Sequence, residues 1–260
     1  MTGGVGMLSS ELHVVIPARF GSTRLPGKPL INLGGKPMIA RVFDSVAEAL
    51  PGRHIIIATD DSRIVKVLQE HHLPYVLTDP ALSSGTDRIA EVGRVLDWPV
   101  SDVVVNIQGD EPLLPQSLLR GFVDMVVKDP TREMSTVAVP ASLEEVHDPN
   151  TVKVTVRADG RATTFSRAPV PYERDRRAGL WAVGNHLRHL GIYAYRHDVL
   201  QTLTAHPPSP DERLEKLEQL RALWLGVDIQ VMIWPESPPA GVDSPDDARR
   251  VAAYFAAERE

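Results

Sequence analysis

The chain has 260 residues, 43% of them hydrophobic and 24% charged, with a formal net charge of −6. That length suits one large domain, or one domain with an insertion, since single cores rarely grow beyond about 250–300 residues, and the acidic balance speaks against a broad nucleic-acid footprint. The absence of cysteine excludes disulfides, thiolate nucleophiles and cysteine-ligated zinc, and no run approaches the roughly 18 apolar residues of a spanning helix.

In chain order, Met1–Met7 lacks a basic stretch followed by an apolar one. No secretory signal is expected there, Met7 is a second candidate start, and a cytoplasmic protein is the expectation. His13–Ile16, Ile55–Ala58, Tyr75–Leu77 and Val103–Ile107 are short and almost continuously apolar, as buried parallel strands are. Between them the stretches Pro37–Leu50, Ser62–His71, Thr86–Leu96 and Pro115–Val127 have helical spacing. The alternation predicts right-handed βαβ units.

The second half changes character. Met134–Val139, Val152–Val156 and Ala162–Phe165 read as strands with no long helix between them, the last two joined by a turn at Asp159-Gly160. A polar loop over Ala168–Arg188 leads to a strand at Leu190–Tyr195 and a single helix over Glu212–Leu225, carrying Leu214, Leu217, Leu220 and Leu223 as its apolar stripe. A strand at Ile229–Ile233 and a helix at Ser244–Ala257 close the chain, the helix opened by a serine cap, a proline and two acids. The expected fold is α/β: a mostly parallel central sheet flanked by helices, of the Rossmann-like nucleotidyltransferase kind, with an inserted antiparallel β extension. One domain over 1–260 is expected, with a nucleotide-binding part at 13–130, the antiparallel extension at 131–195 and the remainder at 196–260.

Two segments carry chemistry. The first strand runs into a loop where Gly21 and Gly27 permit close backbone approach and Arg19, Arg24 and Lys28 concentrate three positive charges. Ligands of open α/β sheets bind outside the carboxyl ends of the strands, and such a loop suits a triphosphate. Neither GxxxxGK[ST] nor GxGxxG is present, which disfavours a P-loop enzyme and a dinucleotide-binding dehydrogenase. The fourth strand delivers Gln108-Gly109-Asp110-Glu111 to the same sheet edge, offering hard oxygen donors of the type that hold magnesium. A solvated basic loop and an ordinary Gly-Asp turn are the competing readings of each segment alone.

Taken with IPARFGSTRLPGKPL, ATD, SGTDRIAEV, VNIQGDEP, DPNTVKV, FSRAPVPYERD, RHLGIYAYR, LEKLEQLRALWLG and PAGVDSPDD, in that order along the chain, the sequence resembles the 3-deoxy-manno-octulosonate (Kdo) cytidylyltransferases. The resemblance implies transfer of a cytidylyl group from CTP to Kdo, releasing pyrophosphate, as a step toward lipopolysaccharide, in a magnesium-dependent homodimer formed through the antiparallel region. It implies triphosphate contacts for Arg19, Ser22, Arg24 and Lys28, nucleotide placement by Arg88 and Gln108, and metal ligation by Asp110 and Asp243. It implies Kdo contacts for Arg167, His189, Tyr193, Glu218 and Gln219. CTP and Kdo are the expected small-molecule substrates, with no nucleic acid or membrane partner. Activation of sialic acid or of 8-amino-Kdo is the nearest alternative, and a non-catalytic nucleotide-binding protein is the alternative of another class.

Overall fold

The computed structural model describes residues 10–21, 25–175 and 184–257. Strand β1 (Leu12–Ala18) lies at the centre because it is apolar on both faces: Leu12, Val14, Ile16 and Ala18 point into one core, Val15 into the other. Around it β4 (His54–Thr59), β5 (Tyr75–Leu77), β6 (Val103–Asn106), β7 (Met134–Pro140), β10 (Leu187–Arg196) and β11 (Ile229–Ile233) give the sheet order β11-β7-β10-β6-β1-β4-β5. β10 alone runs against the rest of this path, pairing antiparallel with both β6 and β7, so the sheet is mostly parallel as expected.

The antiparallel extension is smaller than its sequence suggests. β7 and β10 belong to the main sheet, and only β8 (Lys153–Val156) and β9 (Ala162–Ser166) stand off its path. A two-stranded ribbon of β2 (Asn32–Leu33) and β3 (Lys36–Pro37) follows the first loop.

Helices cover both faces, as strands apolar on both sides require. On one side pack α1 (Met38–Ala49), α2 (Ser62–Glu70), α4 (Gln116–Lys128) and α9 (Pro245–Ala257); on the other, α3 (Gly85–Val95), α6 (His197–Ala205) and α8 (Gln219–Trp224). α6 and the short α5 (Leu143–His147) are additions to the sequence reading. The amino end of β1 is pinned by a buried pair, with His13 Nε2 at 2.8 Å from Asp102 Oδ2 and Trp98 stacked on the imidazole at 4.0 Å. Ser244 caps α9 as predicted, its Oγ accepting from the Asp247 N–H while the Asp247 carboxylate takes the Ser244 N–H.

One expectation is corrected. The single helix over Glu212–Leu225 is two, α7 (Pro210–Glu215) and α8, separated by Lys216 in the left-handed region at φ 55°. Leu214, assigned to the apolar stripe, is 82% exposed. The break is held from both sides. The Glu215 carboxylate accepts from Ser166 Oγ and the Arg167 N–H at the end of β9, and Glu212 takes the Arg221 guanidinium at 2.8 and 2.5 Å across the kink. These charge-assisted bonds bend a segment whose leucine spacing would otherwise continue one helix.

Candidate active site

Two clefts open at the carboxyl ends of β1 and β6 and meet at Gly85 and Gln108, which line both. The first, of about 380 Å³, is walled by Arg19, Gly21, Lys28, Asp110 and Asp243. The second, of about 240 Å³, is walled by Thr86, Asn106, Tyr193, Tyr195, Glu218 and Gln219. Gly85 opens α3, whose amino end is fixed by a reciprocal box: Ser84 Oγ accepts from the Asp87 N–H and Asp87 accepts from the Ser84 N–H. An eleven-residue helix therefore aims its positive end at the junction of the two clefts.

In the first cleft Lys28 bridges two carboxylates, with Nζ 2.6 Å from Asp110 Oδ2 and 2.9 Å from Asp243 Oδ1. Burial works against the ammonium, but Asp110 and Asp243 outweigh it and hold its pKa above the usual lysine value. The two acids, 133 positions apart in the sequence, meet because the chain after β11 returns across the cleft, where the Val242 N–H donates to the Asp110 carbonyl at 2.9 Å. Gly241 makes this approach possible: a Cβ there would lie 3.0 Å from the Asp110 carbonyl oxygen and 3.1 Å from the Glu111 carboxylate. Gly109 is equally constrained, since its Cβ would meet the Pro17 carbonyl oxygen at 2.8 Å.

The donor set fits a hard divalent cation. Two carboxylates from separate segments converge on one positive group, and the Lys28 ammonium stands where such an ion would sit. Glu111, which the fourth strand delivers beside Asp110, has a different environment. Burial, with Asp110 and Asp243 adding to it, raises its carboxyl to about 8 against the opposing pull of Arg188 and Lys28. Glu111 therefore holds its proton more tightly than an ordinary carboxyl, and adds less negative charge to the pair than a free carboxylate would. Arg19 points across the cleft mouth and donates from Nη1 to the Ser83 carbonyl at 2.6 Å. Ser22 and Arg24 lie outside the described residues.

The second cleft owes its shape to an irregularity in β10. Pairing with β7 advances from Leu190↔Val137 directly to Tyr193↔Thr136, so two extra residues bulge out. Thr136 fills the bulge, its Oγ1 donating to the Ile192 carbonyl at 2.7 Å, and Gln108 Nε2 donates to the Gly191 carbonyl at 3.2 Å. The bulge shortens the strand, bringing the His189 and Tyr193 rings to 5.2 Å. A residue spacing of four in an extended strand would leave them more than 10 Å apart at about 3.3 Å per residue.

His189 packs against Phe165 at 5.0 Å and sits behind Tyr193, outside the residues that wall the cleft. The Thr136 hydroxyl, whose one proton goes to Ile192, accepts from His189 Nε2 at 2.9 Å, which leaves Nδ1 as the acceptor nitrogen.

Burial pushes the His189 pKa down to about 3. The unfolded chain binds a proton near pH 6.5 that the folded chain refuses, so stability is full above that pH and falls between pH 6.5 and 3. His189→Asn should therefore flatten the acid side of the urea-stability profile by up to about 1.4 kcal/mol per pH unit. Parallel profiles for variant and wild type between pH 7 and 5 would show that the imidazole is not held neutral.

Glu218 sits at the break between α7 and α8, where its Oε2 accepts from the Thr86 hydroxyl. The residue keeps solvent access, yet its carboxylate faces the cleft. That enclosure lifts its pKa above the ordinary value against the opposing Thr86 bond. Gln219, 6% exposed, begins α8. Asn106 is 2% exposed and lines the cleft, and its Oδ1 has no hydrogen-bond partner among the described residues.

Of the residues singled out in the sequence, the structure brings Arg19, Lys28, Gln108, Asp110 and Asp243 to one cleft and Gln108, Tyr193, Glu218 and Gln219 to the other. Two stand apart. Arg88 is fully buried and paired with Asp60 at 2.8 Å and with the Thr78 hydroxyl. Arg167 donates from Nε to the Glu215 carbonyl and from Nη1 to the Pro149 carbonyl. Thr86, Asn106 and Tyr195 join the site without having been singled out. All three lie inside the quoted motifs SGTDRIAEV, VNIQGDEP and RHLGIYAYR, so their neighbours were the available signal.

Comparison with known proteins places the chain in a family. Residues 13–229 match the family described as cytidylyltransferase. The chain is 52% identical over 244 residues to 3-deoxy-manno-octulosonate cytidylyltransferase 2 of Paraburkholderia phytofirmans, covering 93% of each. It is 50% identical over 242 residues to the 3-deoxy-manno-octulosonate cytidylyltransferase of Polynucleobacter asymbioticus, covering 93% of this chain and 94% of that one. A solved structure of CMP:2-keto-3-deoxy-manno-octonic acid synthetase complexed with CTP superposes with a TM-score of 0.87 at 38% identity, covering 96% of this chain and all of the other. The chain belongs to the cytidylyltransferase family, among the 3-deoxy-manno-octulosonate cytidylyltransferases.

Proposed function

We propose that the protein activates 3-deoxy-manno-octulosonate with CTP, forming CMP-Kdo and pyrophosphate. The observation that carries this reading is the junction of the two clefts at Gly85 and Gln108, one cationic and acidic, the other lined by hydroxyl and amide groups. An α-phosphate seated at that junction faces the sugar on one side and its own pyrophosphate on the other.

Arg19 and Lys28, with Ser22 and Arg24 of the same loop, neutralise the triphosphate, and the amino end of α3 adds its partial positive charge. Tyr193, Glu218 and Gln219 hold the sugar hydroxyls, with Asn106 contributing its free acceptor. His189 positions Tyr193 from behind. Arg88 acts through Asp60 and Thr78 on the ends of β4 and β5. Arg167 reaches the sugar carboxylate by exchanging its bonds to the Glu215 and Pro149 carbonyls. The anomeric oxygen then attacks the α-phosphorus in line. The bond to the bridging oxygen breaks, pyrophosphate leaves with the electron pair, and the hydroxyl proton passes to solvent. Positioning and charge neutralisation supply most of the acceleration in such transfers. Magnesium held by Asp110 and Asp243 supplies further charge neutralisation at the α-phosphate when bound.

The experiment is a pyrophosphate-release assay crossing ATP, CTP, GTP and UTP with Kdo, 8-amino-Kdo and sialic acid. CTP with Kdo should give the highest kcat/KM. Faster turnover with sialic acid, or no release with any pair, would overturn the reading. The proposed working place is the cytoplasm, where CTP is made; among the described residues no helix is long and apolar enough to cross a membrane. The proposed assembly is a homodimer through residues 131–195. Light scattering should give twice the chain mass, and a monomer at micromolar concentration refutes the dimer without touching the chemistry.

A further inference from the structure

The Lys28 ammonium bonds to the same two carboxylates that the proposed mechanism assigns to the metal. The lysine is 9% exposed, so this is a built contact and not a side chain passing through solvent. Asp110 and Asp243 carry two negative charges between them, and Lys28 cancels one. A divalent ion entering between the carboxylates meets a like charge about 3 Å away in a partly buried site, where repulsion is poorly screened. Both cannot hold the position.

We infer that Lys28 is an internal placeholder cation: it occupies the metal seat in the nucleotide-free protein and gives it up when a triphosphate offers the ammonium a second anionic partner. The inference rests on the proposed metal role of Asp110 and Asp243. Several features support it. Lys28 and Arg19 line the same cleft as the two acids, so the ammonium need only rotate about its four-carbon stem to reach a phosphate bound there. While seated, it holds Asp110 and Asp243 together against their mutual repulsion, which preserves the metal geometry in advance. Because coupling between ligands is reciprocal, a nucleotide that draws the lysine away raises metal affinity, and the metal raises nucleotide affinity by the same factor. A free enzyme built this way resists divalent ions on their own and loads metal together with the nucleotide.

The test uses Mn2+ binding to the full-length, nucleotide-free protein, read from the electron paramagnetic resonance signal of the free ion. Lys28→Met should bind Mn2+ at least about tenfold tighter than wild type, within the range usual for coupled sites. Lys28→Arg, which keeps the charge, should stay near wild type. Arg19→Gln removes an equal charge from the same loop but not from the carboxylates, and should change affinity by less than about twofold, since its guanidinium rests on Ser83. If Lys28→Met melts before it can be measured, Lys28→Gln replaces it. Equal Mn2+ affinity in wild type and the neutral variant overturns the inference, and so does an equal gain from Arg19→Gln. Adding Asp243→Asn to Lys28→Met should remove the gain. A gain that survives places the ion elsewhere and brings down the metal assignment as well, whereas loss of the inference alone leaves that assignment to be judged by turnover.

Discussion

Asp110→Asn should lower kcat by about three orders of magnitude, roughly 4 kcal/mol of barrier, with the protein still folded. The carboxylate stands at the carboxyl end of β6, 2.6 Å from Lys28 and facing Asp243 across the same cation. The amide retains the shape and one acceptor oxygen but loses the charge. A hard divalent ion then has one carboxylate instead of two, and the α-phosphate loses the neutralisation on which attack by a neutral hydroxyl depends. Stability should change little, because the Asp110 side chain is 36% exposed and the Lys28 ammonium keeps its bond to Asp243. The measurement is pyrophosphate release at saturating CTP and Kdo in magnesium, beside a thermal melt. A variant that keeps more than a tenth of wild-type turnover with an unchanged melt removes Asp110 from the reaction. Asp243→Asn should behave alike, and the double variant should be scarcely worse than either, since the two acids act as one unit.

The second large effect falls on the sugar. Glu218→Ala should raise the apparent KM for Kdo by about 10- to 100-fold, the equivalent of the 1–3 kcal/mol lost when a hydrogen-bonding partner that the bound sugar encloses disappears. CTP saturation should move by less than twofold, because Glu218 lines the cleft that holds Tyr193 and Gln219 but not the one that holds Lys28 and Asp110. Gln219→Ala should give the same selective pattern with a smaller magnitude. The split between substrates, read from saturation curves for each at fixed concentrations of the other, is the informative quantity. If CTP binding weakens and Kdo saturation stays put, the two clefts are assigned the wrong way round.

The sheet was legible because its strands announce themselves: VVVNI and IIIA are almost continuously apolar, as runs covered on both faces are. The acidic half of the site was legible for a related reason, since a buried strand that ends in Gly-Asp has to deliver the aspartate to the sheet edge. The kink at Lys216 was not. Leu214, Leu217, Leu220 and Leu223 recur at helical spacing, and only the distant partners Ser166, Arg167 and Arg221 reveal that the helix stops. The charge of Arg88 was visible, but its burial on Asp60 was not, because a sequence shows charges without their partners. Glu111 was visible beside Asp110, but its enclosure was not, because only the fold buries its carboxyl and brings Asp243 to it.

The bulge in β10 turns a matter of shape into one of counting. Side chains on a strand alternate between faces, so an even surplus leaves the alternation intact and an odd one inverts it. With two residues bulged at Leu190–Ile192, His189 and Tyr193 share a face. Remove one residue from that stretch, and either the histidine swings into the opposite core or every residue after it does. The interval between the histidine and the tyrosine is therefore a ruler, one that tolerates exchange of letters but not a change in their number. Among chains of this fold, those that keep the interval can keep the pocket. Attempts to retune it for another acid sugar have freedom in Glu218, Gln219 and Asn106, and none in the length of that strand.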